Sequence, residues 1–506
     1  MPGIPRTLRP YVLFLPLCAG IFVAAGDQTV IVTILPEIMA DLRVGAGELD
    51  RASWAVTGYL IGYTAAMPLM GRVSDRVGFR MAFLAALAVF SFGSVLVAIS
   101  PDLPRWLLGQ DPEFSWMVTA RVVQAVGGGA MIPIAIAAAG DLIPAGRRAV
   151  AYGLVGASAE AGGVIGPLWG GAITNVLSWE WAFWLNLPPA LVVAVLVARM
   201  RRGKRHSVHV DIPGGILFGA ALALLTVALT SMDDPWRLAG LSAATAVTIG
   251  LLAWHNSRLK SPLFPRSLFR LSNFTSASAA HFMVGAALII GMVTVPLMAT
   301  TVMEASPLES GLWLLRMTVG IGIAALVGGA VTQRYGPRMP ALAGLVLVTA
   351  GFLLMSQWTL EVADPWMTVH LVVTGLGFGL LIAPIIESAM HNVRSEDQGA
   401  GSALITVARM IGMTAGLAAL STWGSIRFEH LVAEVPPFSM DPEVQDEILR
   451  AAMEAGMTVF RMFFLAAAII CAAAVAPVMV MTRAGRPRQD QVSESGDSKR
   501  PVAARF

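Results

Sequence analysis

Charge is scarce in this chain. Only 13% of its 506 residues are Asp, Glu, Lys or Arg, against 56% hydrophobic, and the mean hydropathy is +0.70. That balance excludes a soluble globular protein and fits a polytopic helical membrane protein. Cysteine is nearly missing: Cys18 and Cys471 both fall in apolar runs, so no disulfide framework is expected. The seven histidines are scattered without ligand spacing, and no convergent His/Ser/Asp or metal cluster emerges. Neither a membrane enzyme nor a bound metal is therefore expected. No G-x-x-x-x-G-K-[ST] loop is present, which argues against a nucleotide partner and a nucleotide-driven pump. A nucleic-acid motif is lacking too. The run from Tyr11 to Ala40 is too long, and too charged at its end, for the apolar core of a cleavable leader.

What the chain has is apolar length. Fourteen runs of membrane-spanning size can be marked, at 11–40, 51–71, 80–100, 114–139, 148–175, 181–199, 212–230, 236–256, 273–300, 309–331, 339–358, 365–390, 398–433 and 442–482. The intervening segments 1–10, 72–80, 141–148, 199–210, 257–272, 332–338, 391–397 and 483–506 hold 25 of the 35 Lys and Arg residues. Excess basic charge marks the cytoplasmic side, so both termini are expected inside. The polar tail, 483–506, is expected to be disordered.

An internal repeat sets the domain plan. Gly71-x-x-x-Asp75-Arg76-x-Gly78-x-Arg80 follows the second run, and Gly329-x-x-x-Gln333-Arg334-x-Gly336-x-Arg338 follows the corresponding run of the later half at identical spacing. Parallel repeats of this kind mark a group of secondary transporters. The expected organisation is an N-terminal six-helix bundle (1–200), a cytoplasmic linker with two inserted transmembrane helices (201–267), a C-terminal six-helix bundle (268–482) and the tail. The fold class is all-α, integral to the membrane.

One stretch stands out, GGVIGPLWGG, with Gly162, Gly166, Pro167, Gly170 and Gly171 inside an apolar helix. Glycine at every fourth position leaves a bare face on which a neighbouring helix can approach backbone to backbone. Proline inside the span removes a donor and bends the helix. Simple tight packing accounts for such a face. A contact that holds in one state and slides in another accounts for it as well.

This ten-residue pattern resembles the fifth-helix antiporter signature of major facilitator superfamily exporters, and the resemblance extends over nearly the whole chain, to the fourteen-helix drug:proton antiporter branch. Gly71–Arg80 matches that superfamily's cytoplasmic loop signature. Arg121-x-x-Gln124 followed by Gly127-Gly128-Gly129 resembles its fourth-helix signature, with Ala125 where glycine is usual. Asp27-x-Thr29-Val30 with Leu35-Pro36, Trp179-x-Trp181-x-Phe183-x-x-Asn186-x-Pro188 and Asp211-x-x-Gly214 resemble the first helix, the entry to the sixth and the start of the inserted pair. The resemblance implies two six-helix bundles with two linker helices, no enzyme activity, no cofactor, and a proton gradient as energy source.

Charges inside the spans are expensive and normally face a cavity or a partner. They are Asp27, Glu160, Arg316, Glu387 and Arg409, with His281 nearby. The pattern Ala159–Pro167 with Asp27 and Arg409 looks most like the mycobacterial triacylglyceride and lipid exporters. That resemblance implies a proton on Asp27 and an ion pair between Glu160 and Arg409 across the halves. A static tie between the halves fits Glu160 and Arg409 too. Glu160 and Glu387 as further proton-coupling sites, Arg316 as a further gate residue and His281 as a satisfied interior histidine remain open readings. In the Gly71–Arg80 loop, Asp75 can cap a neighbouring helix or pair with an arginine, while Arg76 and Arg80 can hold acidic partners, together forming a surface latch.

Length alone adds one more feature. Residues 398–433 read as a helix of about 54 Å, and 441–481 as one of about 61 Å, at the usual rise, whereas the hydrocarbon core is about 30 Å thick. The surplus, roughly 426–454, is amphipathic and acidic (Glu434, Asp441, Glu443, Asp446, Glu447) and parity places it outside the cell. It is an external hairpin that packs on itself, or a ridge that shields a lipid tail or docks an extracytoplasmic lipid-binding partner. The expected function is a proton-coupled exporter of hydrophobic small molecules, lipid or lipid-like cargo first, in the plasma membrane. A multidrug efflux pump for amphiphilic drugs and a non-transporting scaffold on the same fold are the alternatives.

Overall fold

Backbone in hydrocarbon must satisfy its own hydrogen bonds, and a chain this apolar does so with helices. The computed structural model describes residues 9–42, 49–102, 112–174, 176–229, 235–259, 262–432 and 442–481, and among these there is no strand. The helices are α1 (Arg9–Asp41), α2 (Leu49–Val77), α3 (Phe79–Ala98), α4 (Pro112–Leu142), α5 (Arg148–Thr174), α6 (Trp181–Trp184), α7 (Leu187–Ala198), α8 (Ile212–Leu229), α9 (Pro235–Arg258), α10 (Arg266–Phe269), α11 (Ser272–Thr301), α12 (Pro307–Tyr335), α13 (Arg338–Met355), α14 (Asp364–Met390), α15 (Gln398–Val432), α16 (Pro442–Ala473) and α17 (Val475–Val480).

Twelve stretches of the described residues are long and apolar enough to cross a membrane, rather than the fourteen marked on the sequence. The other two expected crossings are helical as well. One is α2, which dilutes its apolar residues with Thr57, Tyr59, Tyr63 and Thr64. The other is α8, whose apolar stretch Ile212–Ala228 is short. The expected disordered tail, 483–506, lies outside the described residues.

Within the earlier half α1 packs on α5, and α4 on both α2 and α3; within the later half α11 packs on α15, and α14 on both α12 and α13. The same pairing in both halves is what the repeat in the sequence requires. Gly78 and Gly336 occupy matching places in it, and both have positive φ, 83° and 77°. A left-handed residue lets the chain turn directly from one helix into the next, and glycine takes that conformation without a Cβ clash. The halves meet along two seams, α2 with α15 and α5 with α12. The pair α8–α9 packs on itself and on α2, and Phe218, Leu252 and Leu263 share an apolar cluster with Met67 of α2 and with Ala403 and Val407 of α15.

The surplus length is real helix. With 35 residues, α15 runs unbroken to Val432 and spans about 52 Å, and the 32-residue α16 begins at Pro442. Residues 433–441, between them in the chain, lie outside the described residues, as do the side chains of most of the acidic positions around them.

Candidate functional site

Asp27 sits in the middle of α1, 3% exposed, and does not face water as a helix-end carboxylate would. Arg121 Nη1 of α4 donates to Asp27 Oδ2 at 2.7 Å and to Gln124 Oε1 at 2.7 Å. Gln124 Nε2 donates to Asp27 Oδ1 at 2.9 Å and to Ser94 Oγ of α3 at 2.7 Å. Asn186 Nδ2, at the start of α7, donates to Asp27 Oδ1 at 2.6 Å. The Arg121 guanidinium lies 4.2 Å from the Tyr59 ring centroid of α2 and 5.5 Å from that of Phe183. A charge so enclosed is held by pairing and by hydrogen bonds to every face of the carboxylate. Five elements of the earlier half thus converge on one carboxyl group. The sequence places Arg121 and Gln124 in one motif, one turn apart on α4, but gives no sign that both reach Asp27. Nothing local in the sequence marks Asn186 or Tyr59 as a partner in this cluster either.

The glycine face of α5 packs on α1 beside this cluster. A Cβ at Gly162 would overlap Phe22 O, one at Gly166 would overlap Gly26 O and Thr29 Oγ1, and one at Gly170 would overlap Thr33 Oγ1. Thr29 Oγ1 donates to Gly163 O at 2.9 Å. Gly171 meets nothing within 4 Å, so it is not part of the close contact. The neighbour that approaches the bare face is therefore α1 of the same half.

Two residues before Gly162, Glu160 reaches across the halves. Its Oε1 accepts from Arg409 Nη2 of α15, and the pair is largely buried, with side-chain exposures of 8% and 15%. A narrow cleft beside it is lined by Glu160, Arg409, His281, Leu288, Phe378 and Ile382, and has room for about one water. His281 Nδ1 lies 2.9 Å from Ile405 O, one turn before Arg409. Glu387, on α14, has one carboxylate oxygen buried without a hydrogen-bond partner among the described residues. Arg316 stays within the later half: it pairs with Asp364, and its Nη1 donates to Thr368 Oγ1 at 2.7 Å.

The Gly71–Arg80 loop is a buried clasp rather than a surface latch. Asp75, 5% exposed, accepts from Gly399 N at 2.6 Å and Ala400 N at 3.2 Å, capping the start of α15. Free backbone amides at a helix start attract a carboxylate. Gly71 and Gly399 face each other with no room for a Cβ on either. Arg76 is exposed, and Arg80 Nη1 donates to the carbonyls of Met200 (3.0 Å) and Ala198 (3.4 Å), so neither shows an acidic partner among the described residues. The arginine that does so is Arg72, absent from the sequence expectation: it is 2% exposed, with Nη1 3.0 Å from Asp397 Oδ1. Burial pushes the Asp75 carboxyl from the ordinary 3.8 up to about 7, against the opposing pull of the Gly399 amide, Arg72 and the Ala400 amide.

A profile of the Major Facilitator Superfamily matches residues 17–417 and 277–505. The triacylglyceride transporter of Mycolicibacterium smegmatis is 34% identical over 482 residues, 89% of this chain and 84% of the relative. That of Mycobacterium tuberculosis strain H37Rv is 32% identical over 505 residues, 94% and 95% of the two chains. Among solved structures, a proton:xylose symporter of the same superfamily superposes with a TM-score of 0.63 at 13% identity, covering 93% of this chain and 97% of its own. A human organic anion transporter superposes at 0.59 with 16% identity, covering 92% of this chain and 100% of its own.

Proposed function

The chain belongs to the major facilitator superfamily, a family of membrane transporters, and from that premise we propose that it is a proton-coupled exporter of lipid or lipid-like cargo working by alternating access. The cargo class rests on its likeness to transporters named for triacylglyceride. In this reading the chain has fourteen crossings, with α8 and α9 as two helices inserted between six-helix bundles 1–200 and 268–482. Both termini are cytoplasmic and the membrane is the plasma membrane.

The observation that carries the mechanism is a continuous path from Asp27 to the opposite half. A proton arriving on Asp27 removes the charge that holds Arg121, and the cluster around α1 must re-form. The backbone of α1 is seated on Gly162, Gly166 and Gly170, so a shift of α1 moves α5. On α5 the next residue of consequence is Glu160, tied to Arg409 of α15. Proton binding thereby changes the strain on the tie between halves. A proton shifts the conformational balance only as far as it binds one state better, and a carboxyl group enclosed in one state and wet in the other supplies that difference. Glu387 serves as a further carboxyl of this kind. Arg316 secures α14 to α12 at the edge of the path. In this reading the clasp of Asp75 on α15 closes the cytoplasmic side.

The test is transfer of labelled triacylglyceride out of proteoliposomes under an imposed pH gradient, with dye efflux measured in the same vesicles. Lipid transfer that needs the gradient and fails in Asp27→Asn supports the reading. Dye efflux without lipid transfer turns it to a drug pump, and no proton flux on addition of cargo turns it to a scaffold.

A further inference from the structure

Arg72 has two arms on two different bodies. Its Nη1 lies 3.0 Å from Asp397 Oδ1, immediately before α15 of the later half. Its Nη2 donates to Pro262 O at 2.9 Å, in the segment that leads away from the α8–α9 pair. That segment is fixed to the pair from both sides. Asn256, near the end of α9, donates Nδ2 to Phe264 O at 2.9 Å and accepts from Phe264 N at 3.0 Å. The Phe264 ring meets Phe218 of α8 edge-on, with centroids 5.4 Å apart. The two helices are joined at the same end: His255 Nε2 lies 2.9 Å from Asp211 Oδ1, which also accepts from Gly214 N at 2.9 Å. Leu263, 1% exposed, is wedged into the apolar cluster between the pair and the α2–α15 seam.

A carbonyl beside the guanidinium is more than packing. Arg72 is almost fully buried, and Asp397 is shared with Arg394 Nη2 at 2.9 Å and Ser267 Oγ at 3.4 Å. A buried guanidinium needs several acceptors in fixed directions, and Pro262 O supplies one that belongs to neither half. We propose that Arg72 is a positioning residue that makes the α8–α9 pair a working part of the cytoplasmic clasp, so that closing the α2–α15 seam and seating the pair are one event. The pair is then a brace on the gate and not a spacer between the halves. When α15 and Asp397 move away, Arg72 loses one arm and the seat of Pro262 loosens with it.

This inference rests on the alternating-access reading, and the experiment separates the two. Spin labels on Ala145→Cys and His391→Cys, both exposed on the clasp side and in opposite halves, report opening in the full chain in lipid nanodiscs. In the otherwise unmodified chain the label distance shifts with pH or added triacylglyceride; one fixed distance overturns the transport reading and this inference together. Asn256→Ala, which frees the Pro262 segment without touching Arg72, lowers the closed-to-open ratio about fivefold, the worth of about one hydrogen bond. Arg72→Lys, with no fork to hold both arms, lowers it by at least as much. The double variant is no worse than Arg72→Lys alone, because both substitutions cut the same connection. Multiplying effects, or no effect of Asn256→Ala, overturn the role of Arg72 while leaving transport intact. Should Arg72→Lys not fold, Asn256→Ala alone decides the matter.

Discussion

Asn186 Nδ2 donates to Asp27 Oδ1 at 2.6 Å, joining positions 159 residues apart in the chain. The bond fastens the start of α7 to the carboxyl group that anchors α1. Asn186→Leu removes it and leaves that oxygen with Gln124 alone. The loss of a hydrogen bond to a buried charge costs about 1.5–3 kcal/mol. The expected outcome is a folded protein with a lowered unfolding midpoint and export slowed at least tenfold, read by thermal unfolding and by lipid transfer from vesicles. Export at the unmodified rate would remove Asn186 from the machinery.

The glycine signature divides sharply. Gly166→Ala forces a Cβ into Gly26 O and Thr29 Oγ1, whereas Gly171→Ala enters open space. Overpacking of this kind costs about 1–3 kcal/mol. Gly166→Ala is expected to lower the unfolding midpoint and stop export, and Gly171→Ala to change neither. Equal effects from both would show that the signature does not work through its contact with α1.

Glu160 and Arg409 tie the halves across a cleft with room for about a water. Breaking a buried pair by removing one partner costs about 3–5 kcal/mol, while replacing both with apolar residues of similar size is far milder. Glu160→Gln is therefore expected to destabilise strongly, and Glu160→Leu with Arg409→Met to recover most of the unfolding midpoint while export stays absent. Recovered export in the double variant would reduce the pair to a structural tie.

The Asp75 clasp is expected to weaken with rising pH. Its carboxyl takes a proton more readily when buried against α15, with a pKa near 7, than when wet at about 3.8. The closed contact binds the proton more tightly, so the contribution of Asp75 to closure is complete at low pH. It is lost as pH rises through about 7, and flat above that. The closed fraction reported by labels across α2 and α15 should fall between pH 5 and pH 8, and Asp75→Asn should flatten that slope. An unchanged slope would assign the titration to another group.

Much of the fold is legible in the sequence because the signals are long or repeated. Apolar runs fix the helices, and a matched glycine in each half, Gly78 and Gly336, fixes the turn that starts the repeat. The extra length of α15 follows from counting. The site is less legible, because its contacts are not local. Asp27 and Arg121 lie 94 residues apart, and no periodicity joins them. Arg316 reads as a gate residue from its isolation in an apolar run, and nothing in that run points to its partner Asp364 at the start of α14 in the same half. Arg72 is hidden by its neighbours: among three arginines in one basic loop, sequence offers no means to tell the buried one from Arg76 at the surface. The α2 crossing is legible as the run 51–71, although Tyr59 and Tyr63, buried in the bundle interior, leave it out of the twelve most apolar stretches.

The unbroken length of α15 gives the clasp a reach beyond its own surroundings. Asp75 holds one tip of a rod about 52 Å long, and a tilt of about 10° there would carry the far tip through about 9 Å. Helix without a break passes rotation from end to end as a lever does. Letting go at the clasp is therefore felt at the far end by anything resting on the tip near His430, whether a lipid chain or another protein.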